Sequence, residues 1–383
     1  MIDLTDLFEA YLSCRKNKRN TMNALAFEID YEHQLITLHQ EINEGRYRPG
    51  RSIAFIMDQP VQREIFAADF RDRVVHHLVM NKLNPLFEKT FIYDSYACRK
   101  NKGTHVGIQR VDRFIRQCSK NYTTDCYTLK LDIKGFFMAI DKGILLKKLL
   151  PFIDEHYHES DKAQIRSLCQ LMVENDPTSG CLIKGSRQDW SGLPPDKSLF
   201  HSAPNCGLPI GNLTSQILAN YYMNAFDHFI KHDLGVRYYG RYVDDMVLVH
   251  SNENELKAWI PMIANFLTSE LKLSIHPKKT VLQHYTKGVL FLGAMIKPHR
   301  ILMGKRIKGN FYEAINKQNR LAMDHPPNRD EQALFLCSMN SYLGLMKHYN
   351  TYRLRYRMLR KNLSRIWWGL MYLSGGSKFV SQK

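Results

Sequence analysis

The 383-residue sequence contains no long uncharged hydrophobic run, and its first residues lack a positive region followed by an apolar core. A membrane-spanning helix needs about 20 mainly apolar residues, so this pattern predicts neither a membrane anchor nor export. The eight cysteines show no paired metal-ligand spacing. We interpret them as reduced thiols, which indicates a cytoplasmic protein.

Acidic residues are absent from residue 351 to the C-terminus, where Arg353, Arg357, Lys361 and Arg365 recur every four residues. On a helix this spacing makes one basic stripe. The whole chain carries a formal charge of +17. Basic side chains that neutralise phosphates gain affinity by releasing counterions, so we expect the stripe to bind nucleic acid.

Two adjacent carboxylates, Asp244 and Asp245, lie between the apolar runs 238–243 and 246–249. Runs of this length around a short polar pair predict a β-hairpin with both charges at its tip. Such pairs are common in solvated turns, but carboxylates held side by side also suit a divalent cation. The hairpin is therefore a candidate metal site.

A third carboxylate, Asp132, follows residues 127–131, in which apolar and polar residues alternate. Alternation predicts a half-buried strand with Asp132 on the face opposite its leucines. The aromatic pair Phe136 and Phe137 comes next. Together with the hairpin, this pattern indicates two-metal phosphoryl transfer, in which two Mg²⁺ ions are clamped between the attacking and leaving oxygens.

Five segments resemble, in order, the motifs of reverse transcriptases. They are a first carboxylate motif at 132–137, a helix-opening motif at 207–216, a second carboxylate motif at 242–245, a lysine motif at 275–280 and a primer-grip strand at 289–293. The motifs cover most of the middle of the chain. The resemblance implies an RNA-directed DNA polymerase that binds template RNA and the RNA/cDNA duplex and uses dNTP substrates.

The same resemblance implies an α+β, right-hand polymerase fold with fingers, an antiparallel-sheet palm and a helical thumb. We expect an N-terminal helical extension at 1–50, fingers at 51–120, a palm with interleaved fingers elements at 121–300, and the thumb at 301–383. Proline and glycine punctuation predicts an irregular insertion at 158–204. Pro60 suggests an edge hairpin at 51–64. The basic run 15–19 is a solvated face or a nucleic-acid contact.

A narrower resemblance is to the reverse transcriptases of bacterial and phage diversity-generating retroelements. Retron and group II intron enzymes typically carry Gln-Gly at the helix opening, whereas this chain has Ile210, Gly211 and Asn212. Segments 190–200 and 341–350 also look like the retroelement group. The resemblance implies an element-encoded template RNA, error-prone copying at adenines, and an oligomeric, small, basic helical accessory protein as partner.

Several residue roles follow from this resemblance. Asp132, Asp244 and the backbone carbonyl of Ile133 would ligate two Mg²⁺ ions, with Mn²⁺ as a substitute and Asp245 as a supporting ligand. Lys279 matches the lysine that protonates the leaving pyrophosphate, with a plain surface lysine as the alternative.

Further roles concern the nucleotide and the nucleic acid. The Phe137 ring would collide with a 2′-hydroxyl; the alternative is a core aromatic. Arg63 resembles the arginine that holds the triphosphate, and Arg73 adds charge there or pairs with a neighbouring aspartate. Ile210 and Gln216 would pack the new base pair. The predicted nucleic-acid contacts are Arg99, Lys100 and the basic stripe.

Two alternatives remain open from the sequence. One is a reverse transcriptase of the retron, group II intron-like or phage-defence class, for which the Gln-Gly motif would be expected. The other is a non-catalytic RNA-binding scaffold with a palm-like fold, against which the intact carboxylates speak.

Overall fold

The computed structural model describes residues 1–16, 21–58 and 61–383. Most of the basic run 15–19, and Pro60 of the predicted hairpin, lie outside these residues. The chain divides into two compact units. The first comprises Met1–Gly107, Leu129–Leu248 and Glu253–Leu282, and the second comprises Ile108–Thr128, Val249–Asn252 and Gln283–Lys383.

The helices and strands follow one another in a mixed order. The α-helices are α1 (Leu4–Arg15), α2 (Met22–Glu28), α3 (Tyr31–Asn43), α4 (Phe70–Thr90), α5 (Thr104–Cys118), α6 (Phe136–Ala139), α7 (Lys142–His156), α8 (Lys162–Glu174), α9 (Leu213–Tyr222), α10 (Asn224–His228), α11 (Glu253–Leu271), α12 (Lys305–Asp324), α13 (Arg329–Met346), α14 (Tyr352–Asn362) and α15 (Arg365–Leu370). The strands are β1 (Ile53–Met57), β2 (Arg63–Ala67), β3 (Tyr127–Leu131), β4 (Leu182–Ile183), β5 (Tyr238–Tyr242), β6 (Asp245–His250), β7 (Val281–His284), β8 (Val289–Phe291), β9 (Ala294–Lys297), β10 (Arg300–Met303), β11 (Met371–Ser374) and β12 (Phe379–Gln382).

The sheet that positions the site has the strand order β5-β6-β3-β7. Strands β5 and β6 are hydrogen-bonded neighbours joined by only two residues, so they are antiparallel. In β3 the leucines Leu129 and Leu131 are fully buried, while Lys130 between them is partly exposed. The alternation therefore predicted the leucine face of β3 correctly, but the strand is not half-buried, since Thr128 and Asp132 on the opposite face are only 1% and 7% exposed.

Strands β1 and β2 form the hairpin expected at 51–64, with register Ile53↔Ala67 to Met57↔Arg63. Strand β4 adds to β1 in parallel, so β1 is the middle strand of this sheet and β2 lies at an edge. The amide of Leu182 donates to the Ser52 carbonyl at 2.8 Å. The expected edge position is thus wrong for β1, because a distant segment supplies a third strand.

The segment 158–204 is not irregular throughout, which corrects the prediction. Helix α8 occupies its first part and buries Ile165, Leu168, Cys169 and Val173 on one face. This spacing is helical, whereas the proline and glycine residues that predict a loop come later, from residue 177 onward. Three short 3₁₀ helices follow at Arg187–Trp190, Pro195–Lys197 and Leu199–His201.

The second unit has its own core under α12 to α15. Trp367 is fully buried and stacks on Phe335, with ring centroids 3.9 Å apart. Its indole N–H donates to the Gln318 carbonyl at 3.0 Å. The expected helices are present after residue 300, but the chain also forms a final hairpin of β11 and β12, which the prediction of a helical thumb did not include. Among the described residues, no helix is long and apolar enough to cross a membrane.

Candidate active site

The turn that carries Asp244 is strained. Strand β5 ends at Tyr242 and β6 begins at Asp245, so Val243 and Asp244 form the tip. Val243 has φ 56°, in the left-handed region that β-branched residues rarely adopt. This conformation costs on the order of 1–3 kcal/mol and persists only where neighbouring contacts hold it.

Asp132 directly follows β3 and is only 7% exposed. Lys279, at the end of the 3₁₀ helix Pro277–Lys279, donates from Nζ to both carboxylate oxygens of Asp132, at 2.9 and 2.8 Å. The amide of His276 donates to the Asp132 carbonyl at 2.7 Å, which anchors this lysine turn beside β3. Thus two segments far apart in sequence meet at Asp132.

A second lysine faces the hairpin. Lys130 shares the face of β3 on which Asp132 lies, because alternate residues of a strand point the same way. Its Nζ lies 3.0 Å from Oδ1 of Asp245. The contact is an ion pair without hydrogen-bond geometry, since this buried oxygen has no hydrogen-bond partner. Sequence analysis did not single out Lys130, although its position in the alternation placed it beside Asp132.

Negative charge accumulates at Asp244. Burial raises the pKa of this carboxyl to about 6, and the neighbouring charges of Asp245 and Asp132 act in the same direction. Lys279 opposes the shift. Like charges that disfavour one another in this way are relieved by a cation between them. The charges of the three predicted acidic residues therefore converge on the turn.

The donor set fits a hard cation. Carboxylate and carbonyl oxygens are the ligands that Mg²⁺ takes in proteins. The pairing of Ile133 with Ile275 uses hydrogen bonds of the flanking residues, so the Ile133 carbonyl is left out of that pairing. Within residues 1–16, 21–58 and 61–383, no group of three histidine, cysteine, aspartate or glutamate side chains is already arranged to hold a metal ion. The lysines at Asp132 and Asp245 occupy carboxylate oxygens that such an ion would use.

The predicted triphosphate residues differ in their surroundings. Arg63 begins β2 and is exposed. Burial raises the pKa of Tyr242, and the charge of Arg63 partly offsets this, which places the guanidinium near the hairpin. Arg73 is partly buried and donates from Nε to the Ala68 carbonyl at 2.9 Å. One nitrogen of its guanidinium is therefore used in a hydrogen bond to the backbone.

Phe137 and Ile210 pack against the same apolar cluster, whose buried members are Ala54, Phe66, Met138 and Leu199. The amide of Leu208 donates to the Phe137 carbonyl at 2.8 Å. The amide of Phe66 donates to the Ile210 carbonyl, also at 2.8 Å. The structure thus brings together two predicted nucleotide-site residues that are far apart in sequence.

Gln216 is exposed on α9 and accepts a hydrogen bond from the thiol of Cys98 at 3.0 Å. The Cys98 residue is exposed, but neighbouring atoms partly desolvate its thiol, which raises its pKa. Cys98 also acts on the pKa of Tyr242, so it lies near the hairpin. The sequence interpretation treated Cys98 only as a reduced thiol, and no spacing pattern could have linked it to residue 242.

Arg99 has a structural position, which corrects its predicted role. Its Nε donates to both carboxylate oxygens of Glu88, at 2.9 and 3.1 Å. Its Nη1 donates to the carbonyls of Ile92 and Ser95. With its side chain 7% exposed, Arg99 is not presented to nucleic acid. Lys100 is exposed, and its contact with nucleic acid stays a prediction.

The basic stripe was predicted to lie on one helix, but the structure divides it between two helices. Arg353, Arg357 and Lys361 are exposed on α14, but Arg365 begins α15. The chain breaks between the helices because Asn319 donates to the Asn362 carbonyl at 2.6 Å and accepts from the Ser364 amide at 2.9 Å. The corrected surface, the α14 stripe, consists of Arg353, Arg357 and Lys361.

Glu64 is a buried residue that the sequence analysis passed over. It accepts hydrogen bonds from the Trp190 indole at 2.6 Å, the Ser198 hydroxyl at 2.7 Å and the Leu199 amide at 2.5 Å. These three hydrogen bonds, which we call the clasp at Glu64, connect the end of the insertion to β2. The same insertion contributes Leu199 to the cluster beneath Phe137.

Comparisons with known proteins identify the family. Protein YkfC of Escherichia coli is 22% identical over 303 residues, covering 70% of this chain and 71% of that protein. The putative COX1/OXI3 intron 2 protein of Saccharomyces cerevisiae is 23% identical, covering 85% of this chain but only 42% of the yeast protein. Apo telomerase from Candida tropicalis, truncated from its C-terminal domain, is 14% identical with a TM-score of 0.46, covering 71% of this chain and 60% of the telomerase. The reverse transcriptase (RNA-dependent DNA polymerase) family matches residues 62–296, more than half of the chain, and the chain therefore belongs to that family.

Proposed function

We propose that this chain is the reverse transcriptase of a diversity-generating retroelement. It copies an element-encoded template RNA into cDNA and misincorporates at template adenines. The observation that carries this proposal is Ile210, which packs with Phe137 on one apolar cluster. An aliphatic side chain here removes a hydrogen bond that a glutamine would offer to template or nucleotide, and a site with fewer polar groups discriminates less well between substrates.

Asp132, Asp244, Asp245 and the Ile133 carbonyl are the groups that would hold two Mg²⁺ ions, or Mn²⁺ in their place. When bound, the metal pair activates the primer 3′-hydroxyl and neutralises charge on the pyrophosphate. The raised pKa of Asp244 supports this assignment, because a buried carboxylate crowded by the charges of Asp245 and Asp132 calls for added positive charge.

The remaining residues bind and orient. Arg63 holds the triphosphate by its planar fork, and Arg73 and Gln216 support the nucleotide site. The Phe137 ring excludes the 2′-hydroxyl. Nζ of Lys279 donates a proton to the departing pyrophosphate. Lys100 and the α14 stripe bind the phosphates of the template RNA and the RNA/cDNA duplex.

The proposed setting is the cytoplasm of a bacterium or phage-infected cell, with a small, basic helical accessory protein as an oligomeric partner. Fingers, palm and thumb are assigned to 51–120, 121–300 and 301–383. The second compact unit resumes at Gln283, ahead of this proposed palm–thumb limit.

A second candidate is a group II intron-type reverse transcriptase. The curated relative named as a yeast intron protein favours it. The absence of Gln-Gly at residues 210–211 speaks against it. An intron-type enzyme would copy adenines as accurately as other template bases, so the error spectrum separates the two candidates.

The test is primer extension on a defined RNA template with dNTPs and Mg²⁺, followed by sequencing of the cDNA. Asp244→Asn and Asp245→Asn serve as the site variants. We expect Asp244→Asn to reduce extension by roughly 10³-fold, as loss of transition-state charge stabilisation does. Errors in the wild-type cDNA should concentrate at template adenines. An even error spectrum excludes the retroelement assignment, and full extension by Asp244→Asn excludes the site.

A further inference from the structure

Beneath the strained turn lies a fully buried ion pair. Arg241 of β5 and Asp227 of α10 both have side chains with no solvent exposure. Nε of Arg241 donates to Oδ1 of Asp227 at 2.7 Å, and Nη2 donates to Oδ2 at 2.6 Å. Burying two charges costs desolvation energy that such a pair recovers only with good geometry and further hydrogen bonds. The additional bonds of the guanidinium are therefore informative.

The third nitrogen of Arg241 reaches the turn. Nη1 donates to the Val243 carbonyl at 2.9 Å and to Oδ1 of Asn220 at 3.2 Å. Val243 immediately precedes Asp244, so the guanidinium is hydrogen-bonded to the peptide group that joins these two residues. One planar fork joins the buried pair to the tip of the hairpin.

The position of Arg241 is itself fixed from several sides. Its amide donates to the Asp94 carbonyl at 2.9 Å, and its carbonyl accepts from the Tyr96 amide at 3.0 Å. The hydroxyl of Tyr239 donates to Oδ1 of Asp227 at 2.6 Å, which orients the carboxylate. A guanidinium held in this way can impose a conformation on the turn instead of following it.

We propose that Arg241 is a positioning residue of the polymerase, which holds the Val243 carbonyl and thereby fixes where the turn presents Asp244. A left-handed valine needs surroundings that over-determine it, and the Nη1 bond supplies one such contact. The inference rests on the proposed role of Asp244. A small misplacement of a reacting group costs about 10²-fold in rate.

A purely structural role for the pair is the competing explanation, and a double variant separates the two. Asp227→Leu with Arg241→Met removes both charges at similar volume, and such replacements of buried pairs often preserve stability. It also removes the Nη1 bond. Arg241→Lys keeps a charge near Asp227 but lacks the fork that reaches both partners. Tyr239→Phe is the matched control, because it removes a hydroxyl from Asp227 and leaves the bond to Val243 intact.

The readouts are kcat and KM for dTTP on poly(rA)·oligo(dT) with Mg²⁺, the melting temperature, and Mn²⁺ binding to the free full-length chain by electron paramagnetic resonance. For the double variant and Arg241→Lys we expect cooperative melting, kcat lower by about 10²-fold, a KM within about threefold of wild type, and weaker Mn²⁺ binding. Tyr239→Phe should retain kcat and Mn²⁺ binding.

Wild-type kcat in a stable double variant, or in Arg241→Lys, overturns the proposal. Failure of both variants to melt cooperatively also overturns it, because the pair then only supports the fold. Asp244→Asn is assayed in parallel. If it extends primers normally, the proposed active site has failed; if it is inactive and the Arg241 variants are normal, only the positioning role has failed.

Discussion

Both carboxylate oxygens of Asp132 accept hydrogen bonds from the same ammonium group, Nζ of Lys279. Lys279 was predicted from the sequence as the donor of a proton to pyrophosphate, and the structure shows it on a proposed metal ligand instead. The lysine side chain is 52% exposed, so its ammonium group can leave Asp132 for solvent or another partner without crossing the protein interior.

Replacing Lys279 tests whether this lysine acts in turnover as a proton donor to pyrophosphate or only as the ion-pair partner of Asp132. We expect Lys279→Met to lower kcat by roughly 10²–10⁴-fold, the range for loss of a general acid. Lys279→Arg is the matched control, since it keeps the positive charge but holds its proton too firmly to donate it. Single-turnover incorporation of one dNTP measures the effect. Equal activity of Arg and wild type would assign the residue a purely electrostatic role.

Ile210→Gln should improve fidelity at template adenines. A restored hydrogen bond is worth about 1 kcal/mol, which corresponds to a decrease of roughly fivefold in misincorporation. Ile210→Val keeps an aliphatic group on the same cluster and should leave the error rate as it is. Sequencing of cDNA from an adenine-containing RNA provides the measurement. An unchanged spectrum in the glutamine variant would show that Ile210 does not set the fidelity.

The clasp at Glu64 should contribute to stability. Glu64→Gln places an amide donor opposite the donors of Trp190, Ser198 and Leu199, so at least one buried donor loses its acceptor. We expect the free energy of unfolding to fall by about 1–3 kcal/mol. Urea denaturation measures this loss. The same change at the exposed Glu255 should have little effect, and an equally small effect at Glu64 would contradict the clasp.

The α14 stripe should contribute electrostatically to RNA affinity. Glutamate at Arg353, Arg357 and Lys361 should weaken binding and reduce the slope of log K against log salt, by roughly 0.7–0.9 for each phosphate that is no longer neutralised. Filter binding at several salt concentrations gives both quantities. Lysine at Arg353 and Arg357 preserves the charge and should preserve the slope. Binding of the reversed variant with the wild-type slope would place the RNA elsewhere.

His76 should make folding sensitive to acid. Burial lowers its pKa to about 3, and the charges of His77 and Arg73 act in the same direction. Its Nδ1 has no hydrogen-bond partner. The unfolded chain takes up this proton near pH 6.5, whereas the folded chain does not. The contribution of His76 to the free energy of unfolding is therefore constant above pH 6.5. Below that pH the free energy of unfolding falls on acidification, by up to about 1.4 kcal/mol per pH unit.

The measurement is urea unfolding of wild type and His76→Gln at pH 7, 6 and 5. Glutamine is uncharged over this range, so the acid-side slope of the variant should be shallower than that of wild type by about one proton. Parallel slopes for the two proteins would show that other groups account for the acid sensitivity.

Much of the fold was readable from local pattern. The predicted right-hand α+β fold and the class of RNA-directed DNA polymerase are confirmed by the family match. The alternation around Leu129 and the apolar runs around Asp244 predicted β3 and the hairpin, because alternation and short apolar runs bounded by turn residues are both local signals of strands. Helix α8 also carries a local signal, the helical spacing of Ile165, Leu168, Cys169 and Val173, beside a segment rich in proline and glycine.

The errors about basic side chains share one cause, which is that the partners met in the fold decide what a charged side chain does. Arg99 looked like a nucleic-acid contact, but Glu88 and two carbonyls bind its guanidinium. The regular spacing up to Arg365 predicted one helix, but Asn319 takes up the backbone groups at the break.

Local sequence pattern was enough to locate the strand before Asp132 and the hairpin of Asp244, and the chemical types at the candidate site: carboxylates at 132, 244 and 245, a lysine at 279 and an aliphatic residue at 210. The contacts of Lys279 with Asp132, of Glu64 with the insertion, and of Arg241 with the turn arise from the packing of separate segments. Periodicity and turn preference act over a few residues, whereas burial, ion pairing and hydrogen bonding depend on which segments pack together. Such pairings leave no regular spacing along the chain.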